Sequence, residues 1–240
     1  MVIDLRQYAQ NMKMFLKEAL GIKIYGKTIG IFTSSDPGAK MYLKYIKKDA
    51  EYFNVNIVEL NENSEAVSAD GFLFQYPIDY DIPEWAKHIQ HSDKDLDTMN
   101  EIENVRLPLA SAAILEALDE CYGLVECANV VMIGRGNAVK GLDVVLDKYR
   151  AHVIVCHSKT PCDETISSIT NADIIIHAAP NFNIKDVQIP DNCMVFDLTG
   201  NLKKSDAENS NYKLVTNIGS LTRFYLFLNL EQRCSGRTLK

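Results

Sequence analysis

Val130-Val131-Met132-Ile133-Gly134-Arg135-Gly136-Asn137-Ala138-Val139 runs from an apolar strand into a glycine turn and on into a helix-compatible segment. About twenty residues later a second apolar strand, His152-Val153-Ile154-Val155-Cys156, ends in His157-Ser158-Lys159-Thr160. This is the layout of a β-α-β unit that binds a dinucleotide, with the pyrophosphate held by the N–H groups of the turn and the helix N-terminus. An Asp or Glu closing the second strand would bind a ribose 2′-hydroxyl and repel a 2′-phosphate. Here the closing groups are Ser158 and Lys159, and Arg135 stands in the turn. All three suit a phosphate, so the expected cofactor is NADP in preference to NAD. Without a ligand, Gly134 and Gly136 would simply make a tight strand-to-helix turn.

The rest of the chain sets limits on this reading. Its 240 residues suffice for one large or two small domains, and an apolar fraction of 47% can build a full core. A net charge of −7 argues against a general nucleic-acid binder, which needs clustered Lys and Arg. No apolar run approaches the ~20 residues of a membrane span, so no membrane partner is expected. The start, Met1-Val2-Ile3-Asp4-Leu5-Arg6, has no signal-peptide character. Six cysteines without C-x-x-C spacing read as reduced thiols of a cytoplasmic protein, and no ligand pair stands at metal spacing.

Apolar periodicity predicts helices over 7–20, 39–53 and 110–118, and strands over 27–32, 56–60 and 71–77. The acidic segment 77–108 reads as loop with a short helix near Trp85. Beyond it, strands and helices alternate: 129–133, 138–149, 152–156, 163–170, 173–177, 193–198 and 213–216. Such alternation means a parallel sheet covered by helices. The expected architecture is α/β. An N-terminal α/β substrate domain (residues 1–120) precedes a Rossmann-like dinucleotide-binding domain (121–220), with the boundary near 119–126. The helix in 221–240 is expected to pack back on the first domain.

Several segments, in order, resemble the methylenetetrahydrofolate dehydrogenase/methenyltetrahydrofolate cyclohydrolase (FolD) family. Gly71-Phe72-Leu73-Phe74-Gln75-Tyr76-Pro77-Ile78 is similar to that family's G-I-L-V-Q-L-P-L, and Asp93-Lys94-Asp95-Leu96-Asp97 to D-K-D-V-D. The stretch Ile133 to Val139 resembles I-G-R-S-N-I-V, Cys156 to Thr160 resembles C-H-S-[RK]-T, and Asn171-Ala172-Asp173-Ile174 resembles N-A-D-I. The resemblance implies oxidation of 5,10-methylene-tetrahydrofolate by hydride transfer to NAD(P), hydrolysis of the methenyl product, and a homodimer. It places Tyr42 and Gln75 near the reacting carbon and Asp97 on the pterin ring. Gly134, Arg135, Gly136, Asn137, Val139, His157, Ser158, Lys159 and Thr222 fall at positions expected to contact the cofactor.

The chain departs from the family at its site. Where the family's helix has Y-x-x-x-K, Tyr42 keeps the tyrosine but Ile46 replaces the lysine on which the cyclohydrolase step depends. Each residue turns a helix by ~100°, so Lys47 points ~100° and Lys44 ~160° away from that position. An apolar side chain cannot move a proton. The proline-rich loop of the family is replaced by Lys213 to Thr222, which keeps Gly219 alone of its glycines and none of its prolines. Leu107 to Ala113 replaces P-C-T-P-x-G, and Lys140 replaces a turn glycine.

The expected function is therefore an NADP-dependent methylenetetrahydrofolate dehydrogenase with its cyclohydrolase weakened or lost. Ile46→Lys is expected to restore hydrolysis if the rest of the pocket is intact. Two alternatives stand beside this function: a non-catalytic dinucleotide- or pterin-binding paralogue, and a dehydrogenase with another substrate. Tyr42 also fits a half-buried core aromatic, Gln75 a glutamine bonding backbone, and Asp97 a solvated loop acid. His157 is expected near the cofactor, and His88, His91, His152 and His177 as surface or packing residues. No G-x-S-x-G elbow supports a hydrolase triad on Ser158.

Overall fold

The computed structural model describes residues 1–19, 23–90, 92–98, 100–102 and 104–236, so Leu20 and His91 lie outside the described residues. In chain order the elements are β1 (Val2–Asp4), α1 (Arg6–Ala19), β2 (Thr28–Thr33), α2 (Pro37–Phe53), β3 (Asn56–Leu60), β4 (Gly71–Gln75) and α3 (Glu84–Lys87). Then come β5 (Asn100–Ile102), β6 (Val105–Leu107), α4 (Leu109–Cys121), β7 (Asn129–Ile133), α5 (Leu142–Lys148), β8 (His152–Cys156) and α6 (Cys162–Ile169). The chain closes with β9 (Ile174–His177), β10 (Met194–Asp197), α7 (Lys204–Glu208), β11 (Lys213–Thr216) and α8 (Ile218–Ser235). They fall into two compact units. One comprises Met1–Tyr8 and Ile102–Thr222, the other Ala9–Glu101 and Arg223–Lys240.

The first unit is built on a six-stranded sheet of order β1-β11-β10-β9-β7-β8, parallel at every pairing. Parallel strands are covered on both faces and read as continuous apolar runs. Val130 to Ile133 and Ile174 to His177 are accordingly buried along their length. The chain leaves β7 for β8 on one side and returns to β9 on the other. That reversal is a topological switch point, outside which α/β sheets bind their ligands.

The second unit is a three-stranded parallel sheet of order β3-β2-β4. Asp36 caps α2 by accepting from the Ala39 N–H at 2.9 Å, and Pro37 opens the first turn. The helix buries Leu43, Ile46, Ala50 and Phe53. Phe227 of α8 packs on Phe53 with ring centroids 4.8 Å apart, and Asn229 donates to the Leu96 carbonyl at 2.7 Å. The C-terminal helix thus packs on the N-terminal half, as the sequence implied.

Three local expectations change. The segment 77–108, expected to be mostly loop with a short helix, also holds β5 and β6, which pair as a two-stranded ribbon. The helix expected over 138–149 starts only at Leu142. Residues Asn137–Val139 form a separate 3-10 turn, and Gly141 at φ +76° resets the chain before α5. A side chain at Gly141 would stand 2.8 Å from Val105, so a glycine is needed there on two counts. β1 and α7 were not anticipated, being three and five residues long.

Candidate functional site

The switch point of the six-stranded sheet opens into a cavity of about 380 Å³. Gly134, Arg135, His157 and Ser158 line it on one side, with Ala179 to Phe182 from the loop after β9. Gly134 holds φ +105°, and a Cβ there would lie 2.9 Å from the Ala178 carbonyl, so the glycine permits two strand ends to meet. Nothing lies within 4 Å of the place a Cβ would take at Gly136. Among the described residues the Gly136 and Asn137 N–H groups donate to no protein acceptor. Open space and unused donors at a glycine turn suit a phosphate.

The turn is held from below and from the side. Ser111, wholly buried on α4, donates to the Ala138 carbonyl at 3.0 Å. Gly134 donates its N–H to the Cys156 carbonyl at 2.7 Å. At the end of β8, the Thr160 hydroxyl accepts from the His157 N–H at 3.0 Å, and His157 Nδ1 accepts from the Lys159 N–H at 3.1 Å. This local turn leaves the Ser158 and Lys159 side chains exposed.

A second group of the expected residues lies in the three-stranded unit. The Tyr42 hydroxyl is buried and has no hydrogen-bond partner among the described residues. Burial pushes it well above the usual phenol range, the Arg223 cation opposes this, and the Asp97 and Asp49 charges add to it. The Arg223 guanidinium carbon stands 5.9 Å from the Tyr42 ring centroid and 5.1 Å from that of Tyr45. Asp49 Oδ2 accepts from Arg223 Nε at 2.7 Å and from Lys13 Nζ at 2.6 Å. Lys13 is 4% exposed, and its burial lowers the ammonium below its ordinary range despite Asp49. Gln75, at the end of β4, donates to the Ala39 carbonyl at 2.8 Å and accepts from the Thr33 hydroxyl at 3.1 Å. One amide N–H and one lone pair are left over from these two bonds. Asp97 is half-buried, and its N–H donates to Asp95.

The structure therefore brings Gly134, Arg135, His157 and Ser158 to one cavity, and Tyr42 with Asp97 to one neighbourhood. Gly136, Asn137 and Lys159 flank that cavity in sequence without lining it. Val139 is a core residue, 2% exposed, and Thr222 is half-buried with its hydroxyl on the Ile218 carbonyl. Lys13, Asp49 and Arg223 escaped the sequence reading. One signal was present: Ala9, Lys13 and Leu16 share the buried stripe of α1, and a lysine inside such a stripe needs a carboxylate.

Comparison with known proteins gives a consistent result. Residues 108–231, just over half of the chain, match the model of the tetrahydrofolate dehydrogenase/cyclohydrolase NAD(P)-binding domain. The FolD protein of Clostridium novyi is 32% identical over 158 residues, 58% of this chain and 52% of that protein. In that match the chain spans about half of its relative's length. The FolD protein of Bacillus licheniformis is 28% identical over 82% of this chain and 79% of its own. Among solved structures, the Trypanosoma brucei methylenetetrahydrofolate dehydrogenase-cyclohydrolase, complexed with NADP and an inhibitor, is alike in fold. Its TM-score is 0.80 at 18% identity, covering 98% of this chain and 97% of that one.

Proposed function

Since the chain belongs to the tetrahydrofolate dehydrogenase/cyclohydrolase family, we propose that it is an NADP-dependent 5,10-methylenetetrahydrofolate dehydrogenase whose cyclohydrolase step is weakened or lost. The switch-point cavity carries the dehydrogenase half of this reading. Its glycine turn offers unused N–H groups to a pyrophosphate, and Arg135 and Ser158 on its wall, with Lys159 beside them, suit a 2′-phosphate. The bound nicotinamide supplies the hydride acceptor, and the protein's share is binding and orientation. Tyr42, Gln75 and Asp97 are assigned to the folate. Asp97 takes the amino-pyrimidine edge, where a carboxylate accepts two N–H bonds at once. Tyr42 serves by contact and hydrogen bonding, since burial holds its proton in place.

The weakening or loss of the hydrolase half is supported by Ile46. It is 0% exposed, on the face of α2 that carries Tyr42 one turn earlier. The Ile46 side chain can neither accept nor donate a proton. Lys47 is paired with Glu59, and Lys44 lies on the exposed side of the helix.

The six free thiols fit a reducing, cytoplasmic setting, and no helix among the described residues is long and apolar enough to cross a membrane. A homodimer is the expected assembly. It is favoured by β8, which ends the sheet with Ile154 half exposed.

Thermal shifts with NADP, NAD and tetrahydrofolate test the two binding assignments separately. A ligand at a hundred times its Kd adds about 2.7 kcal/mol. NADP is expected to shift the transition more than equimolar NAD. Equal shifts would remove the 2′-phosphate assignment, and no shift with either would remove the cofactor site.

A further inference from the structure

His177 closes β9, an otherwise all-apolar strand, and is 0% exposed. A buried imidazole needs hydrogen-bond partners for its ring nitrogens. Nδ1 faces Asp197 Oδ1 at 3.1 Å, and Nε2 faces the Ala179 carbonyl oxygen at 3.0 Å. A carbonyl accepts and cannot donate, so the bond to Ala179 is made by the proton on Nε2. Asp197, the last residue of the neighbouring strand β10, is itself fixed. It accepts from the Thr199 hydroxyl at 2.7 Å, the Thr199 N–H at 3.0 Å and the Leu202 N–H at 2.7 Å. The Phe182 ring stands edge-on to the imidazole with centroids 6.1 Å apart.

What His177 holds is the far wall of the switch-point cavity. Ala178 is the residue that Gly134 closely approaches, and Ala179 and Phe182 line the cavity. His177 pairs in register with Ile133, the residue before Gly134, and the Ala178 N–H donates to the Ile133 carbonyl at 2.7 Å. The imidazole thus ties the loop after β9 to β10 from behind, at the level where the glycine turn leaves β7. The distance between that loop and the turn sets the width of the crevice that a dinucleotide crosses.

We propose that His177, anchored by Asp197, is a positioning residue for the cofactor: by bonding the Ala179 carbonyl it fixes the wall against which the dinucleotide is held opposite Gly134. This rests on the dinucleotide reading of the cavity. It assigns a task to a buried pair that neither touches the cofactor turn nor enters hydride transfer.

The test uses the full chain, with NADPH binding followed by cofactor fluorescence and initial rates measured with methylenetetrahydrofolate. In His177→Phe, loss of the bond to Ala179 is expected to raise the NADPH Kd and the NADP KM about tenfold, with kcat at saturation and the folate KM unchanged. His177→Gln, whose amide N–H can reach one acceptor, is expected to recover part of the loss. Thr199→Val keeps the histidine, is the milder change should His177→Phe not fold, and is expected to weaken NADPH binding several-fold. A merely structural histidine would lower the melting temperature and leave the KM of the folded protein alone. Wild-type Kd values in folded His177→Phe and Thr199→Val would overturn the proposal. Wild-type protein that bound neither NADPH nor NADH would overturn the dinucleotide reading itself and this inference with it.

Discussion

Tyr42 and Ile46 stand one helical turn apart on α2, yet Tyr42 keeps a buried hydroxyl without a partner among the described residues while Ile46 is sealed completely in the core. The two residues share a helix face, so the tyrosine has no cation four residues on with which to work. A cation does stand by the Tyr42 ring, from Arg223 on another helix, and that cation is engaged with Asp49.

The burial of Ile46 changes what its replacement should do. The sequence alone suggested that Ile46→Lys restores hydrolysis. In the folded protein the new ammonium would replace a side chain that is 0% exposed, at an effective cost of several kcal/mol. Ile46→Lys is therefore expected to lower the denaturation midpoint markedly and to gain no methenyl hydrolysis. A stable variant with new hydrolase activity would show that the position opens more readily than its 0% exposure indicates.

Gly134→Ala is expected to damage the cofactor turn. The new methyl would meet the Ala178 carbonyl at 2.9 Å, and φ +105° is strained for any L side chain. The cost is about 1–3 kcal/mol. Chemical denaturation and NADPH titration should both register it. Gly136→Ala, with open space and an ordinary φ of −70°, should leave stability nearly unchanged.

The cluster of Lys13, Asp49 and Arg223 should respond asymmetrically. Removing the shared carboxylate by Asp49→Ala leaves two largely buried cations together, at a cost of about 3–5 kcal/mol. Lys13→Met removes a cation that burial already disfavours and leaves Arg223 on Asp49, so it should cost far less. Equal losses in urea denaturation would mean that the three charges do not act through Asp49.

Asp197 predicts an acid dependence. Burial pushes its carboxyl up, but the hydrogen bonds from His177, Thr199 and Leu202 prevail and hold it at about 2, below its ordinary 3.8. A lowered carboxyl pKa stabilises the fold above the unfolded value and loses that contribution as pH falls from about 4 to about 2. At neutral pH the contribution is at most about 2.5 kcal/mol. The stability gap between wild type and Asp197→Asn should narrow across that window. A gap independent of pH down to 2 would contradict the assignment.

Much of the fold was legible because it rests on apolar runs with clear ends. The limits of β3, β7, β8 and β11 follow directly from such runs, each flanked by polar residues or turns. The β5–β6 ribbon was hidden because its strands are three residues long, too short for an alternation to stand out, and each carries a charge. The split before α5 was hidden because Gly141 looked like a tolerated helix glycine, whereas the close passage of Val105 demands it. At the site, glycine spacing pointed to Gly134, and strand-end chemistry to His157 and Ser158. From sequence His177 reads as a surface or packing residue, because its partner lies on a strand 20 residues later. The only local hint was that Ile174 to His177 and Met194 to Asp197 are apolar strands ending, side by side, in a base and an acid.

Dehydrogenation with hydrolysis weakened or lost can be followed by near-ultraviolet absorbance. Purified protein would be mixed with 5,10-methylenetetrahydrofolate and NADP, with NAD in parallel. A cofactor-dependent rise is expected, larger with NADP, in which methenyl product accumulates because it forms faster than it is hydrolysed. A flat trace from protein that binds NADP, or methenyl product consumed as fast as it forms, would contradict this expectation.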